Sequence, residues 1–263
     1  MSAGVRPPWK VTWSVWHALF MREVLARTTG DRMGWFWMLG EPIAFIVIMV
    51  SIRSFLGRSR DIAGADFIVW LMIGLSGFFM VRDAIQRGMT AIASNQALFA
   101  YRQIKPVDAL FVRSATELAL QTVVLLILLG LALLTDINAL PDDPLGVFSL
   151  WCSLWLLGLG CALIVSVVVR LVPDIQHLVK MMMLPLLLIS GVIFPLHNLP
   201  HSILEYLLYN PILHGLELLR LHFFDGYQAV QGVSLEYLWR WILITLALGL
   251  ALHARFELRL KAK

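Results

Sequence analysis

Long apolar runs separated by short polar segments dominate the pattern of the chain. Each run has between 14 and 23 residues, and a helix that crosses a bilayer needs about 20 mostly apolar residues. The fifth run is the shortest, and Pro185 interrupts it. The runs predict six membrane-spanning helices, at residues 35–52, 67–84, 118–134, 147–169, 181–194 and 235–253.

Two further segments are amphipathic. Residues 11–27 mix apolar side chains with Arg22, Glu23 and Arg27, which is typical of a helix that lies on a membrane surface. Residues 195–224, between spans five and six, contain three prolines. Their pattern predicts short helices that enter one face of the membrane and return.

The distribution of lysine and arginine predicts which ends of the spans face the cytoplasm, because cytoplasmic loops are enriched in these residues. With the amino terminus inside and six crossings, sixteen of the 21 basic residues fall in cytoplasmic segments. The outer loop 136–144 has three acidic residues and no basic one. We therefore predict an all-α integral membrane protein with both termini cytoplasmic. It has six transmembrane helices, an N-terminal interfacial amphipathic helix, and a re-entrant periplasmic helical segment between spans five and six.

The composition agrees with this fold class. Hydrophobic residues make up 59% of the 263, and only 14% are charged, whereas soluble domains have about 25% charged residues. The net charge of +4 does not indicate a nucleic-acid partner, because the basic residues are sorted by membrane side. No internal repeat or cleavable signal peptide is recognisable. We expect one domain, 1–263, with a cytoplasmic and interfacial part at 1–34 and a six-span bundle at 35–263.

Sequence motifs for covalent chemistry are missing. No Gly-Lys pair occurs, which argues against a Walker-type phosphate loop, and no Gly-x-Ser-x-Gly nucleophile elbow occurs. His197 and His201 have i, i+4 spacing, but Pro200 separates them, so two polar residues on a wet outer surface are a better interpretation than a metal pair. Cys152 and Cys161 lie about 13 Å apart along one helix, too far for a disulfide. We expect no catalytic residue, cofactor or metal site in this chain.

Ionisable residues inside the predicted spans are few, and such residues are usually functional. Glu41 precedes Pro42 in the first span. Its carboxylate is either satisfied by Arg32 or a neighbouring helix, or forms a polar point beside a substrate path. Arg113 and Glu117 are four residues apart and predict a local ion pair. A chain of carboxylates across the membrane is missing, which disfavours a proton-driven carrier.

Two cytoplasmic segments have the pattern of short contact helices. Residues 94–105 predict a helix with Ser94 as its N-cap and Pro106 at its end. In the next cytoplasmic loop, Pro173 predicts a short helix with Asp174 in its first turn. The first segment is either a solvated turn or a surface for a second protein, and two such elements on a chain without an energy source favour an external motor. The side chains expected on one side of the first helix are Leu98, Tyr101 and Arg102.

Four stretches carry a close family resemblance across the chain, in order. They are FMREVLARTTGDRMGWFWMLGEP (20–42), NQALFAYRQIKPVDALFVR (95–113), PDIQHLVKMMMLPLLLISGVIFPLHNLP (173–200) and YNPILHGLELLR (209–220). Together they resemble the ABC-2 membrane subunits of polysaccharide-export ABC transporters, specifically the KpsM-type capsule exporters of Gram-negative bacteria.

The resemblance implies the permease subunit of an ATP-driven exporter that moves lipid-linked capsular polysaccharide across the bacterial inner membrane. It implies a homodimer bound to two ATP-binding cassette subunits (KpsT-like), which use ATP and Mg²⁺, so that the permease has no ATPase site of its own. Further implied partners are an inner-membrane polysaccharide co-polymerase (KpsE-like) and an outer-membrane polysaccharide export protein (KpsD-like).

The resemblance also implies site residues. Expected ATPase contacts are Asn95, Gln96, Leu98, Phe99, Tyr101, Arg102, Lys105, Asp174 and His177. Expected contacts with the substrate or an anionic lipid headgroup are Arg22, Arg27, Arg32, Trp35, Trp37 and Glu41, although the tryptophans also fit an aromatic belt at the membrane interface. The expected channel lid contains Tyr206, Tyr209 and Asn210.

Three alternatives remain at the level of the sequence. The first is an exporter of another glycan (O-antigen or teichoic acid) or of a small amphiphile. The second is a membrane-embedded enzyme on lipid-linked sugars, which the scattered inner-side acids disfavour. The third is a non-transporting scaffold, which the polar contact segments disfavour.

Overall fold

The computed structural model describes residues 8–29, 34–55, 61–62, 64–101 and 103–261, which are mostly helical. The first half contains α1 (Pro8–Thr29), α2 (Gly34–Phe55), the strands β1 (Asp61–Ile62) and β2 (Ala65–Asp66), α3 (Phe67–Ser94), a 3-10 helix (Gln96–Ala100) and α4 (Pro106–Leu134). The second half contains α5 (Pro144–Leu171), α6 (Ile175–Ile189), a 3-10 helix (Leu196–Asn198), α7 (His201–Leu207), α8 (Pro211–Phe223) and α9 (Leu235–Lys261).

Within the described residues, α3, α4, α5 and α9 are long and apolar enough to cross a membrane. These four helices contain the second, third, fourth and sixth predicted spans. A helix of 28 residues such as α3 is about 42 Å long, so it extends beyond a hydrocarbon core of about 30 Å. The 22-residue α2 contains the first predicted span, and the 15-residue α6 covers most of the fifth. The crossings by these two helices remain predictions.

Polar caps and prolines set where the long helices begin. The Asp66 carboxylate accepts a hydrogen bond from the Ile68 amide (2.8 Å) at the start of α3, and the Asp143 carboxylate accepts one from the Gly146 amide (3.0 Å) at the start of α5. Such caps satisfy amides that have no partner within the helix. Pro106 opens α4, because a first-turn proline loses no helical hydrogen bond.

The core of the bundle is built around α3 and α5. α3 packs against α4, α5 and α8, and α5 packs against α9. Small residues allow these close approaches: a Cβ atom on Gly88 would lie 2.8 Å from the Ala162 Cβ. In a membrane, water does not drive helices together, so helix association depends on close packing. Small residues at helix crossings allow that packing.

The polar connections gather at two opposite ends of the bundle. At the end predicted to be cytoplasmic, which we call the inner end and whose opposite we call the outer end, α1 packs against α4, and the first 3-10 helix contacts α9. At the outer end, the Asp142 amide donates to the Phe223 carbonyl (3.1 Å), and Gly64 of the β1–β2 hairpin lies against Gly226. The segments predicted to be cytoplasmic thus lie together at one end, and the hairpin and the connections after α4 and α8 lie together at the other.

Candidate functional site

The connection between α3 and α4 contains a short 3-10 helix, Gln96–Ala100, so the predicted continuous helix over 94–105 is wrong. Ser94 is the last residue of α3 rather than an N-cap, and Pro106 begins α4 instead of ending a helix. The Asn95 side-chain amide donates to the Ala91 carbonyl (2.7 Å). This bond satisfies a carbonyl of the last helical turn, which ends α3. We call residues 95–105 the contact turn.

The exposed residues of the contact turn form a small surface at the inner end. The Tyr101 side chain is 66% exposed, and the Lys105 side chain is also exposed. Gln96 and Leu98 are partly buried. These four residues keep surface that a partner protein could reach, while the predicted contact Arg102 lies outside the described residues.

Asn95 and Phe99 point into the protein, which corrects their prediction as direct partner contacts. They are 4% and 6% exposed, respectively. Phe99 belongs to an apolar cluster that includes Leu110 of α4, Leu163 of α5 and Leu260 of α9. Phe99 therefore holds the contact turn against these three helices, and Asn95 ties it to the end of α3.

Three polar contacts tie α1 to the contact turn and the first turns of α4. The Trp16 indole donates to the Asp108 carboxylate (3.0 Å), and Arg22 donates to the Asn95 side-chain oxygen. Arg113 donates to the Glu23 carboxylate (3.1 Å). Arg22 thus has a neutral hydrogen-bond partner within the protein and is exposed, and its contact with a lipid headgroup remains a prediction.

Three of the other predicted headgroup residues fall where side chains are not described. Arg27 and Trp35 lie within α1 and α2, but their side chains are outside the described part of the structure, and Arg32 lies outside the described residues.

The predicted local pair between Arg113 and Glu117 is wrong. Glu117 instead pairs with Arg87 of α3 (3.0 Å). Arg113 and Glu117 therefore each bind another helix, since a long arginine reaches across a helix–helix contact as easily as along its own helix.

The second predicted contact segment is continuous with the fifth predicted span. α6 runs from Ile175 to Ile189 without interruption, so the separate short helix over 173–180 is wrong, and Pro185 is accommodated within the helix. Asp174 stands at the N-cap position without a side-chain capping bond. Asp174 and His177 are exposed and remain predicted partner contacts.

A polar cavity lies between α2, α3, α4 and α6. Its volume is about 470 Å³, and Trp37, Glu41, Arg82 and Lys180 are among its lining residues. Glu41 pairs with Arg82 of α3 at 2.6 Å, which agrees with the interpretation of a carboxylate satisfied by a neighbouring helix. The same carboxylate also borders an open polar space, as expected for a point beside a substrate path.

The predicted lid residues have two different environments. Tyr206 and Tyr209 are 76% and 73% exposed, so their rings are available at the outer end. Asn210 caps α8 by accepting from the Ile212 amide (3.0 Å), and it donates to the Ser190 hydroxyl (2.8 Å). Asn210 therefore fixes the α7–α8 corner to the end of α6, whereas a lid role for the two tyrosines remains a prediction.

A buried ion pair at the outer end was not predicted from the sequence. Arg220 is fully buried and pairs with Glu217 at 2.9 Å. Its guanidinium also donates to the Gly191 carbonyl (2.9 Å) and lies 3.6 Å from the centre of the Trp70 ring. The visible signal is an oppositely charged i, i+3 pair in the otherwise apolar helix α8.

Two further features adapt the surroundings to this pair. Gly74 makes room, because a Cβ atom there would overlap the Arg220 guanidinium. Tyr227 donates to the Glu217 carboxylate (3.1 Å). Burial, and then the neighbouring Glu217 charge, raises the pKa of Tyr227 to about 12, so its hydroxyl stays protonated and remains a donor at physiological pH.

The described residues contain no group of three or more histidine, cysteine, aspartate or glutamate side chains that could hold a metal ion. The main polar features of the described residues are an exposed turn, an open cavity and a buried ion pair. Such an arrangement can bind a partner protein or a ligand and can transmit movement between helices.

The sequence profile of ABC-2 type transporters matches residues 14–224, and the chain belongs to this family of transporter membrane proteins. The polysialic acid transport protein KpsM of Escherichia coli is 35% identical to it over 240 residues, which cover 91% of this chain and 92% of that protein. The resemblance to KpsM-type permeases is confirmed.

Two capsule polysaccharide export inner-membrane proteins are also similar. CtrC of Neisseria meningitidis is 27% identical over 91% of this chain and 90% of that protein. BexB of Haemophilus influenzae is 27% identical over 92% of this chain and 90% of that protein. The similarity thus extends over nearly the full length of each relative.

Proposed function

We propose that this chain is the permease subunit of an ATP-driven exporter that moves lipid-linked capsular polysaccharide across the bacterial inner membrane. The observation that carries the proposal is the end-to-end similarity to a polysialic acid transport protein, 35% identical over 91% of the chain. The similar proteins CtrC and BexB are named for export of capsule polysaccharide. Capsular polysaccharide is therefore a better-supported cargo than another glycan.

We further propose six membrane crossings, with both termini in the cytoplasm and the segment from the second 3-10 helix to α8 entering the membrane from the periplasm. The two-ended arrangement of the polar connections supports this topology, because each end contains segments with the same predicted location. A 15-residue α6 is about 22 Å long, so the fifth crossing needs the segment after Ile189 to complete it.

The proposed assembly contains two copies of this chain and two ATP-binding cassette subunits, which bind ATP and Mg²⁺. Tyr101 and Lys105 of the contact turn form one contact with each ATPase, and Asp174 and His177 form a second. A co-polymerase and an outer-membrane export protein complete the path beyond the inner membrane.

In this mechanism the permease performs no covalent step. ATP binding draws the two ATPase subunits together, and the contact turn passes that displacement to α3 and α4. The turn can transmit force because Phe99 fixes it to α4, α5 and α9. Movement of these helices at the interface of the two copies opens and closes the conduit, with Tyr206 and Tyr209 as the outer lid.

Substitution of Tyr101 tests the contact turn. Tyr101→Ala removes an exposed aromatic side chain at the inner end, so we expect the permease to insert normally while co-purification of the ATPase subunit from native membranes falls about tenfold, the effect of losing one aromatic anchor. Tyr206→Ala is the matched control, since its ring is similarly exposed at the outer end. Equal ATPase recovery with both variants would remove the contact turn from the proposal.

A further inference from the structure

The polar cavity at the inner half of the bundle is lined by three cations, two carboxylates and several neutral hydrogen-bonding groups. The cations are Arg82, Arg87 and Lys180, of which Arg87 is paired with Glu117, and the carboxylates are Glu41 and Asp83. Trp37 contributes an indole ring that is 60% exposed. Thr90 adds a hydroxyl group. A space of about 470 Å³ is within the range of small-ligand sites, and this combination suits a ligand with an anionic group and hydroxyl groups.

The strongest clue is the way Arg82 is held. Its two terminal nitrogens lie 2.6 and 3.2 Å from the two Glu41 carboxylate oxygens. Its Nε donates to the neighbouring Asp83 at 2.8 Å, and Gln121 holds the other oxygen of Asp83 at 2.8 Å. Asp83 therefore holds the Nε side of the Arg82 guanidinium group, while the two terminal nitrogens, which form the fork of Arg82, face Glu41.

The Glu41 carboxylate is the exchangeable partner. Its side chain is 50% exposed, whereas that of Arg82 is 17% exposed. The planar fork of arginine matches the oxygens of a phosphate as well as those of a carboxylate. A phosphate that enters the cavity can therefore take the position of Glu41 without disturbing the contact between Arg82 and Asp83.

Lys180 supplies a further cation from a different helix. It lies in α6, lines the cavity and is exposed. Among the described residues no carboxylate lies within ion-pair distance of its ammonium group. This charge is thus available to a ligand, and it comes from the helix that begins directly after the exposed turn at Asp174.

We propose that this cavity binds a phosphodiester linked to a sugar or polyol, with the phosphate between the Arg82 fork and Lys180 and with the carbohydrate against Trp37. The inference rests on the proposed function, because an exporter of lipid-linked glycans meets such a group at the membrane surface. The phosphate could come from the lipid-linked end of the cargo or from the headgroup of an ordinary anionic phospholipid. A bound ligand would bridge α3 and α6, the two helices that lead from the proposed ATPase contacts.

Native mass spectrometry of the full chain in neutral detergent tests the site. The probes are octyl glucosyl phosphate, dihexanoyl phosphatidylglycerol and dihexanoyl phosphatidylcholine, which offer an anionic phosphate with a sugar, an anionic phosphate with a polyol, and a zwitterion. The variants are Lys180→Gln and the double variant Glu41→Gln with Arg82→Gln, which removes both charges of that pair. Lys261→Gln is the matched control, since Lys261 pairs with Glu257 (2.7 Å) away from the cavity.

We expect the anionic probes to bind about tenfold more tightly than phosphatidylcholine, and each cavity variant to lose about tenfold, with Lys261→Gln unchanged. Tighter binding of the glucosyl phosphate than of phosphatidylglycerol would identify the cargo end as the source, and equal binding would identify the phospholipid headgroup. Equal binding of all three probes, or equal losses in the cavity variants and in Lys261→Gln, would overturn the site. ATPase co-purification does not use these probes, so failure here leaves the proposed function standing.

Discussion

At the scale of single residues, the same kind of ion pair occurs in two environments with different consequences. Arg82 and Glu41 border an open cavity, so the carboxylate can exchange for another anion. Arg220 and Glu217 are fully enclosed, and every polar contact of the Arg220 guanidinium is with the protein. A charge buried in this way depends on its oppositely charged partner, and the loss of one partner leaves the other uncompensated.

Replacement of Arg220 measures that dependence. Arg220→Met strands the Glu217 carboxylate and empties the space beside Gly74, so we expect the free energy of unfolding to fall by about 3 to 5 kcal/mol. Arg240→Met removes a cation from an exposed pair with Glu236 and is expected to cost less than about 1 kcal/mol. Circular dichroism during denaturation by sodium dodecyl sulfate provides both values. Similar losses for the two variants would contradict the importance of burial at Arg220.

The partners of these charges could not be predicted from the sequence. Glu41 and Arg82 are 41 positions apart, and Arg22 and Asn95 are 73 apart, whereas sequence patterns report contacts within a few residues. Arg113 illustrates the difference, because an ion pair with Glu117 satisfies local spacing but a contact with Glu23 of α1 is formed instead. The exposure of Tyr101 in a polar connection could be predicted from the sequence, because it depends on chain position alone.

At the scale of secondary structure, apolar patterning predicted the existence of the helices better than their ends. The predicted starts of the second and sixth spans coincide with the first residues of α3 and α9, and the predicted end of the third coincides with the last residue of α4. α3 continues ten residues past its predicted end, since the helix remains favourable after the apolar run stops. The contact turn was mistaken for a helix because its ending depends on the Asn95 side chain and on packing of Phe99 against distant helices.

The start of α4 is where the contact turn can be loosened selectively. The Asp108 carboxylate accepts from the Lys105 amide (3.0 Å) and from the Trp16 indole (3.0 Å), so Asp108→Ala removes a helix-capping bond and a link to α1. We expect a stability loss of about 1 to 2 kcal/mol and faster hydrogen exchange in the contact turn. Asp142→Ala at the outer end is the control. If hydrogen exchange in the contact turn is unchanged in Asp108→Ala, then α1 and the cap do not hold the contact turn in place.

At the scale of the whole molecule, separation of the polar connections into two ends links the fold to the proposed function. The inner end combines α1, the contact turn and the end of α9, while the outer end combines the hairpin with the α7–α8 region. A transporter worked from one side needs this division, because the surface that receives force and the surface that releases cargo must lie on opposite faces. In the proposed mechanism, the buried pair at Arg220 keeps the outer segment attached to α3 while the inner end moves.

The orientation of those two ends can be determined by cysteine labelling in cells. In a background with Cys152→Ala and Cys161→Ala, we expect Lys105→Cys to react with a membrane-impermeant maleimide only after the cytoplasmic membrane is opened. Tyr206→Cys should react in cells whose outer membrane alone is permeabilised, because its site is 76% exposed at the opposite end of the bundle. Lys261→Cys should behave like Lys105→Cys, since six crossings return the chain to the starting side. Labelling of the contact turn from the periplasm would mean that the chain has the opposite orientation, which would place the contact turn beyond the reach of a cytoplasmic ATP-binding subunit and overturn the proposed mechanism.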